Sequence, residues 1–168
     1  MDGDYKIDLS KWEEDKNAKS VAFFSKSKTT TINKNMIEAL KLESKMRGKS
    51  NARFCLHLSP DESLHDMVIL EYRANKLMEP HKHLDKDETI HVLEGEMLGL
   101  ILDDKCNLIS KTILDPKNNF LYRTAKGLYH LWVPSSNYVI FRETVQGPFG
   151  LDDNVLLKCN LEKLSEYL

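Results

Sequence analysis

The sequence predicts a mainly-β domain, a sandwich or small barrel of short strands, with one helix before it and a helical tail behind it. Two observations predict the β region. From Arg53 onward, short β-type runs recur: "ARFCLHL", "HDMVILEY", "ETIHVLEG", "EMLGLILDD", "NLISKTIL", "NFLYRT", "LYHLWV" and "NYVIFRETV". Between them fall turn-forming clusters, "SPDES", "DDKCN", "DPKNN", "AKG" and "PSSN". About eight short strands at regular spacing indicate a sandwich or barrel rather than a parallel sheet interleaved with helices. The third observation is that the first fifty or so residues read differently, which sets a helix outside the strands.

Taken in order, "VAFFSK" is a short strand candidate and "TTTINKN" a polar breaker. "NMIEALKLESKMRG" reads as a helix over Asn35–Arg47. Asn35 stands three residues before Glu38, the capping-box spacing; Met36, Ile37 and Leu40 give one apolar side, and Gly48 is placed to end the helix. An antiparallel barrel is expected from about Ala52 to Val145. The tail "NVLLKCNLEKLSEYL" has helical spacing and should pack on the outside. The expected division is 1–51 as an N-terminal strand and helix extension, 52–150 as the barrel, and 151–168 as a tail of the same domain. The strand in "SVAFFSK" has too few partners in a small barrel, so it is expected to pair across a homodimer.

Bulk properties narrow the function. A chain of 168 residues is long enough for one domain with a real core. Its formal net charge of −2 gives no electrostatic reason to expect nucleic acid. Cys55, Cys106 and Cys159 are far apart and odd in number, so no disulfide framework and no CxxC metal pair is expected, and a reducing compartment is. "MDGDYKIDLSKWEED" is acidic and does not read as a signal peptide, and apolar runs such as "MVIL" are too short for a bilayer. The expectation is a cytoplasmic globular protein with no membrane or nucleic-acid partner.

The chemistry gathers in "MEPHKHLDKDETIHVLEGEM". Strand side chains alternate faces, so His81 and His83 point the same way. Two imidazoles on one face are either spent on solvent or gathered around something. A bend after His83 lets Glu88 reach back, and Gly95 suggests a tight turn with positive φ. His130, in "AKGLYHLWVP", is a fourth candidate. Imidazoles and a carboxylate are the usual ligands of first-row divalent metals, and three histidines with one glutamate leave room for water or substrate in an octahedral shell. His91 has the opposite parity to Glu88 and should face away, and His65 is read as a strand-end residue without a metal role.

His81-x-His83-x4-Glu88-x6-Gly95, followed by Gly127-x-x-His130, resembles the two sequence motifs of the cupin superfamily. Asn75 stands where the first motif's leading glycine would fall, Ala125 where the second motif usually has proline, and Pro134 where it has asparagine. The resemblance implies a double-stranded β-helix, or jelly-roll, barrel holding one divalent ion (Fe, Mn, Ni, Co or Zn) on His81, His83, Glu88 and His130; cupins are also often dimers. A narrower resemblance, over about residues 50 to 150, is to the WbuC family of cupin metalloproteins, carried by "ARFCLHLSPDESLHDMVILEY", "PHKH", "GLYHLWV" and "GPFG". It implies a setting in surface polysaccharide biosynthesis.

Around the metal, Arg53, Cys55 and His57 share one strand face while Phe54, Leu56 and Leu58 share the other. Arg53 and His57 suit a phosphate, carboxylate or sugar hydroxyl, or else form an ordinary surface strand. Trp132, in phase with His130, and Tyr138 and Arg142 complete the substrate-binding candidates; aromatic residues here either fill the barrel or stack on a sugar ring. No acid–base pair is evident outside the ligands. Three functions follow: a metal-dependent isomerase or epimerase of a sugar or sugar derivative, an iron-dependent dioxygenase, and a non-catalytic metal-dependent carbohydrate-binding or regulatory module.

Overall fold

In the computed structural model, residues 5–75, 78–150 and 153–168 are described. Among the described residues, ten strands form one mixed sheet. At its N-terminal side β1 (Trp12–Glu14) pairs with β2 (Val21–Ser25), which lies parallel to β3 (Ala52–Cys55). The sheet continues antiparallel through β4 (Leu64–Tyr72), β9 (Tyr129–Gln146), β5 (His81–Lys82) and β10 (Val155–Leu156). The long strand β6 (Glu88–Leu102) pairs with β9 along its length and also takes β7 (Leu108–Leu114) and β8 (Leu121–Thr124).

Several sequence expectations change here. "ETIHVLEG" and "EMLGLILDD" are one strand, β6, and "LYHLWV" and "NYVIFRETV" are one strand, β9. Their pairing shifts register between Val92 and Glu94 and between Gly95 and Met97. Gly95 does have a positive φ of 79°, but it serves a bulge rather than a hairpin turn. A Cβ on Gly95 would collide with the carbonyl oxygen of Tyr138, so the bend needs glycine. Asn75 is not among the residues with positive φ. The "VAFFSK" strand is paired on both sides within its own chain, by β1 and β3, which removes the edge-strand reason for a homodimer.

The helix α1 (Lys34–Met46) starts one residue earlier than expected and is capped by Asn33, whose side chain accepts from Met36 N–H at 3.1 Å. Asn35 is therefore not the cap. Glu38 pairs instead with Lys41. The C-terminal exit runs through Gly48 and Lys49, both with positive φ. Ile37 and Leu40 of α1 join Trp12, Phe23, Phe54, Val68, Leu70 and Ile140 in one core. The other sheet face buries Ile90, Val92, Met97, Leu114, Val139 and Phe141. Strands β4 and β9 thus carry apolar residues on both faces, which explains their near-continuous hydrophobic runs.

The tail is not one helix. It begins with β10, and only Leu161–Ser165 forms α2, capped by Asn160. It is bonded to the sheet: Cys106 and Cys159 are joined in a disulfide, contrary to the expectation of no disulfide framework, and Cys55 alone is a free, buried cysteine. Disulfides persist in oxidising compartments, so the cysteine argument for a reducing one falls away. Among the described residues no helix is long and apolar enough to cross a membrane.

Candidate metal centre

His81, His83, Glu88 and His130 are all buried and come together with their ligand atoms within 4.8 Å of one another. The sheet explains how. His81 on β5 lies directly opposite His130 on β9. Glu88 opens β6, on the same face as the buried Ile90 and Val92. His91, of opposite parity, is half-buried against Phe120 and takes no part.

Each histidine is aimed from behind by a backbone carbonyl. Nδ1 of His81 meets Glu79 O at 3.0 Å, Nδ1 of His130 meets Leu128 O at 3.0 Å, and Nδ1 of His83 meets Asp153 O at 3.2 Å. A carbonyl only accepts, so Nδ1 carries the proton and a neutral ring turns its Nε2 lone pair inward. Oε2 of Glu88 lies 3.4 Å from His83 Nε2 and 3.3 Å from His130 Nε2. Two ligand atoms each about 2.1 Å from one ion, at octahedral to tetrahedral angles, stand about 3.0–3.4 Å apart. His130 Nε2 is buried with no hydrogen-bond partner, which is costly unless its lone pair meets a cation. The donor set fits a divalent ion, held by the three imidazoles and the Glu88 carboxylate.

Glu88 is positioned in turn by Trp132, whose Nε1–H donates to Oε1 at 2.5 Å. Trp132 pairs with Gly99 on β6, and a Cβ there would collide with the indole ring. That glycine makes room for the group that orients the carboxylate.

The electrostatics suit a cation. Burial works against the charged form of Glu88, but its contacts with His130 and His83 outweigh this and hold it below the usual carboxylate range. Burial, with His130 beside it, pushes His81 down to about 4, so it stays neutral. Burial opposes the cation at His83 too, yet Glu88 and the Asp153 carbonyl raise its pKa.

His81, His83 and Glu88 close one part of a cavity of about 360 Å³, with His130 behind them. Of the expected substrate residues, Arg53 and Trp132 line it. His57, Tyr138 and Arg142 do not. His57 stacks face to face on His65, ring centroids 4.2 Å apart, and meets Asp66 O through Nδ1. Tyr138 Oη reaches Glu94, and Arg142 grips Asp66 through two nitrogens on the outer face. In the later part of β9 it is residues 141 and 143, not 138, 140 and 142, that face the cavity.

Two groups missed in the sequence line the cavity as well, Glu71 and Glu143. Burial pushes Glu71 up to about 7. Burial, with Glu88 and Glu71 nearby, pushes Glu143 well above the usual range. Titratable carboxyls thus exist outside the ligand set, contrary to expectation. Their signal was strand parity: Glu71 is in phase with Met67 and Ile69, and Glu143 with Phe141, all of them lining the cavity.

A family model described as a domain of unknown function (DUF6016) matches residues 32–114. No curated protein matches the sequence. Among solved structures the chain is similar to CapF with the inhibitor 3-isopropenyl-tropolone (16% identity, TM-score 0.53, covering 66% of this chain and 32% of that one). It is similar also to the capsular polysaccharide assembling protein CapF from Staphylococcus aureus (16% identity, TM-score 0.52, covering 66% and 30%). This chain thus spans about a third of the length of those proteins. At such identity the likeness is one of fold. The fold is cupin-like, a mainly-β mixed sheet carrying a three-histidine, one-glutamate cluster.

Proposed function

We propose that the cluster holds one divalent metal ion and forms the active site of an enzyme acting on a small, oxygen-rich, carbohydrate-related molecule, by isomerisation or epimerisation. The observation that carries this reading is the convergence of three backbone-aimed imidazoles and Glu88 beside a cavity lined by Arg53, Glu71 and Glu143. A bound ion with open positions would polarise a carbonyl or chelate vicinal oxygens. Arg53 binds and orients the substrate, Trp132 holds Glu88 in place, and Met67, Ile69, Phe141 and Phe149 exclude water from the reacting carbon. Glu143 is the group that takes or returns a proton there. Its Cα is paired with Ile90, one strand step (two residues) along β6 from Glu88. We place this centre inside a jelly-roll barrel formed by residues 52–150, with surface polysaccharide biosynthesis as the setting implied by the WbuC resemblance.

A purely binding role was kept open by the lack of acid–base groups, and Glu71 and Glu143 remove that reason. The test joins elemental analysis of the purified protein to turnover assays on keto and aldo sugars. One metal per chain, with isomer interconversion lost in Glu143→Gln, supports the reading. Metal without turnover returns the binding module, and oxygen consumption dependent on iron points to a dioxygenase.

A further inference from the structure

The cavity has, at its β3–β4 end, a positive charge with no ion-pair contact among the described residues. Arg53 stands on β3 beside Ile69 of β4, its parity set by the buried neighbours Ala52 and Phe54. Its guanidinium donates to Ser20 Oγ at 2.5 Å, and both residues line the cavity. The other arginines are spent differently. Arg47 holds Glu14 and Glu43, Arg123 holds Asp87, Arg142 holds Asp66, and Arg73 donates to Ser135 O. Among the described residues no carboxylate lies within ion-pair distance of Arg53, although Glu71 and Glu143 share its cavity.

Resting on the function proposed above, we propose that Arg53 is the specificity-determining residue of this cavity and that the substrate is a monosaccharide-sized acid, whose carboxylate Arg53 takes while its hydroxyl or carbonyl oxygens face the four ligands. A guanidinium offers five donors in a planar fork that matches a carboxylate. Ser20 and the Cys55 thiol engage part of that fork, and the rest is left for the ligand. Charge points the same way. A divalent ion held by one carboxylate keeps one positive charge, and Arg53 adds another. Burial opposes the charged form of Glu71, which shares the cavity. Size agrees: about 360 Å³ is near the lower end of the 300–1,000 Å³ range of small-molecule sites, room for one sugar ring. Between the two ends, Met67, Ile69 and Phe141 offer an apolar floor for the ring's C–H face.

The test is calorimetric titration of manganese-loaded protein with D-glucuronate and with D-glucose at pH 7.5. Glucuronate should bind at least about tenfold more tightly, the worth of one charge-assisted hydrogen-bonded pair. Arg53→Gln should erase that preference and keep one metal per chain; Arg53→Lys should restore part of it. Equal binding of the two sugars, no binding of either, or a preference that survives Arg53→Gln would each overturn the proposal. The wild-type comparison decides by itself should the variants fold poorly. Failure of wild-type protein to take up manganese would overturn the metal reading instead, a separate result.

Discussion

Breaking the Cys106–Cys159 bond, by a dithiol or by Cys159→Ser, perturbs stability and the metal site together. The bond closes a segment of 53 residues. Loop-closure entropy for that length comes to about 4 kcal/mol at 25 °C, the largest loss of unfolding free energy to expect. The tail also reaches the ligands. Strand β10 pairs Leu156 with His81, Leu157 N–H donates to Pro80 O at 2.7 Å, and Asp153 O receives His83 Nδ1–H. Removing a group that orients a ligand typically costs 10–100-fold in metal affinity, so a tail released by reduction should cost about that much. Urea unfolding of metal-free protein, with and without reductant, measures the first effect. Competition with a chelator measures the second. If stability falls while metal affinity stays within about twofold, the tail remains docked without its anchor, and the coupling argued here is wrong.

Other outcomes follow from the same geometry. His83→Ala should abolish metal binding and leave the sheet folded, while His91→Ala should leave metal content unchanged; elemental analysis with circular dichroism checks both. Metal occupancy should fall as pH drops through the histidine range, led by His83, whose pKa is raised, whereas His81 stays neutral down to about 4. Equilibrium dialysis across pH 5–8 reads this, and occupancy that is flat across the range would count against histidine ligation. Glu71 is pushed from its ordinary 4.5 to about 7, so folding resists its charge: the penalty is absent below about 4.5 and complete above about 7. At 1.36 kcal/mol per pKa unit that is about 3 kcal/mol, so Glu71→Gln should be neutral at pH 4 and stabilising by up to that amount at pH 8. An equal effect at both pH values would refute the assignment.

The part of the site legible in the sequence is the part fixed by strand parity and short spacing. His81 and His83 had to share a face, Glu88 could return after a bend, and His91 had to look away; the structure gathers the first three and leaves His91 outside, although β5 ends at Lys82 and His83 lies just past it. Parity also held the information that was missed. "MVIL" in β4 is apolar on both faces, as a doubly covered strand must be, so an acid in phase with Met67 and Ile69 had to face an interior. Tyr138 and Arg142 were misjudged for the same reason: they are in phase with the core residue Ile140, on the face turned away from the cavity. Bulges were less legible. A bulge keeps the strand running where a glycine or a serine pair reads as a turn, so β6 and β9 each looked like two strands.

What the sequence could not carry was long-range docking. Two of the three carbonyls that aim the histidines lie two residues before them in the chain: Glu79 for His81 and Leu128 for His130. The third, Asp153, lies 70 residues after His83. No local pattern announces that contact, and none announces the cysteine pair that anchors the same segment. The difference has a physical consequence. His81 and His130 face each other across one strand pair and are oriented as soon as that pair forms. His83 acquires its carbonyl only when β10 has added to β5 and Lys86 has engaged Pro148 O and Asp153. The four-ligand site is therefore complete only in a chain whose tail has come back to the sheet. Metal affinity and tail docking are then linked: the docked tail tightens metal binding by the same free energy that the bound metal adds to docking.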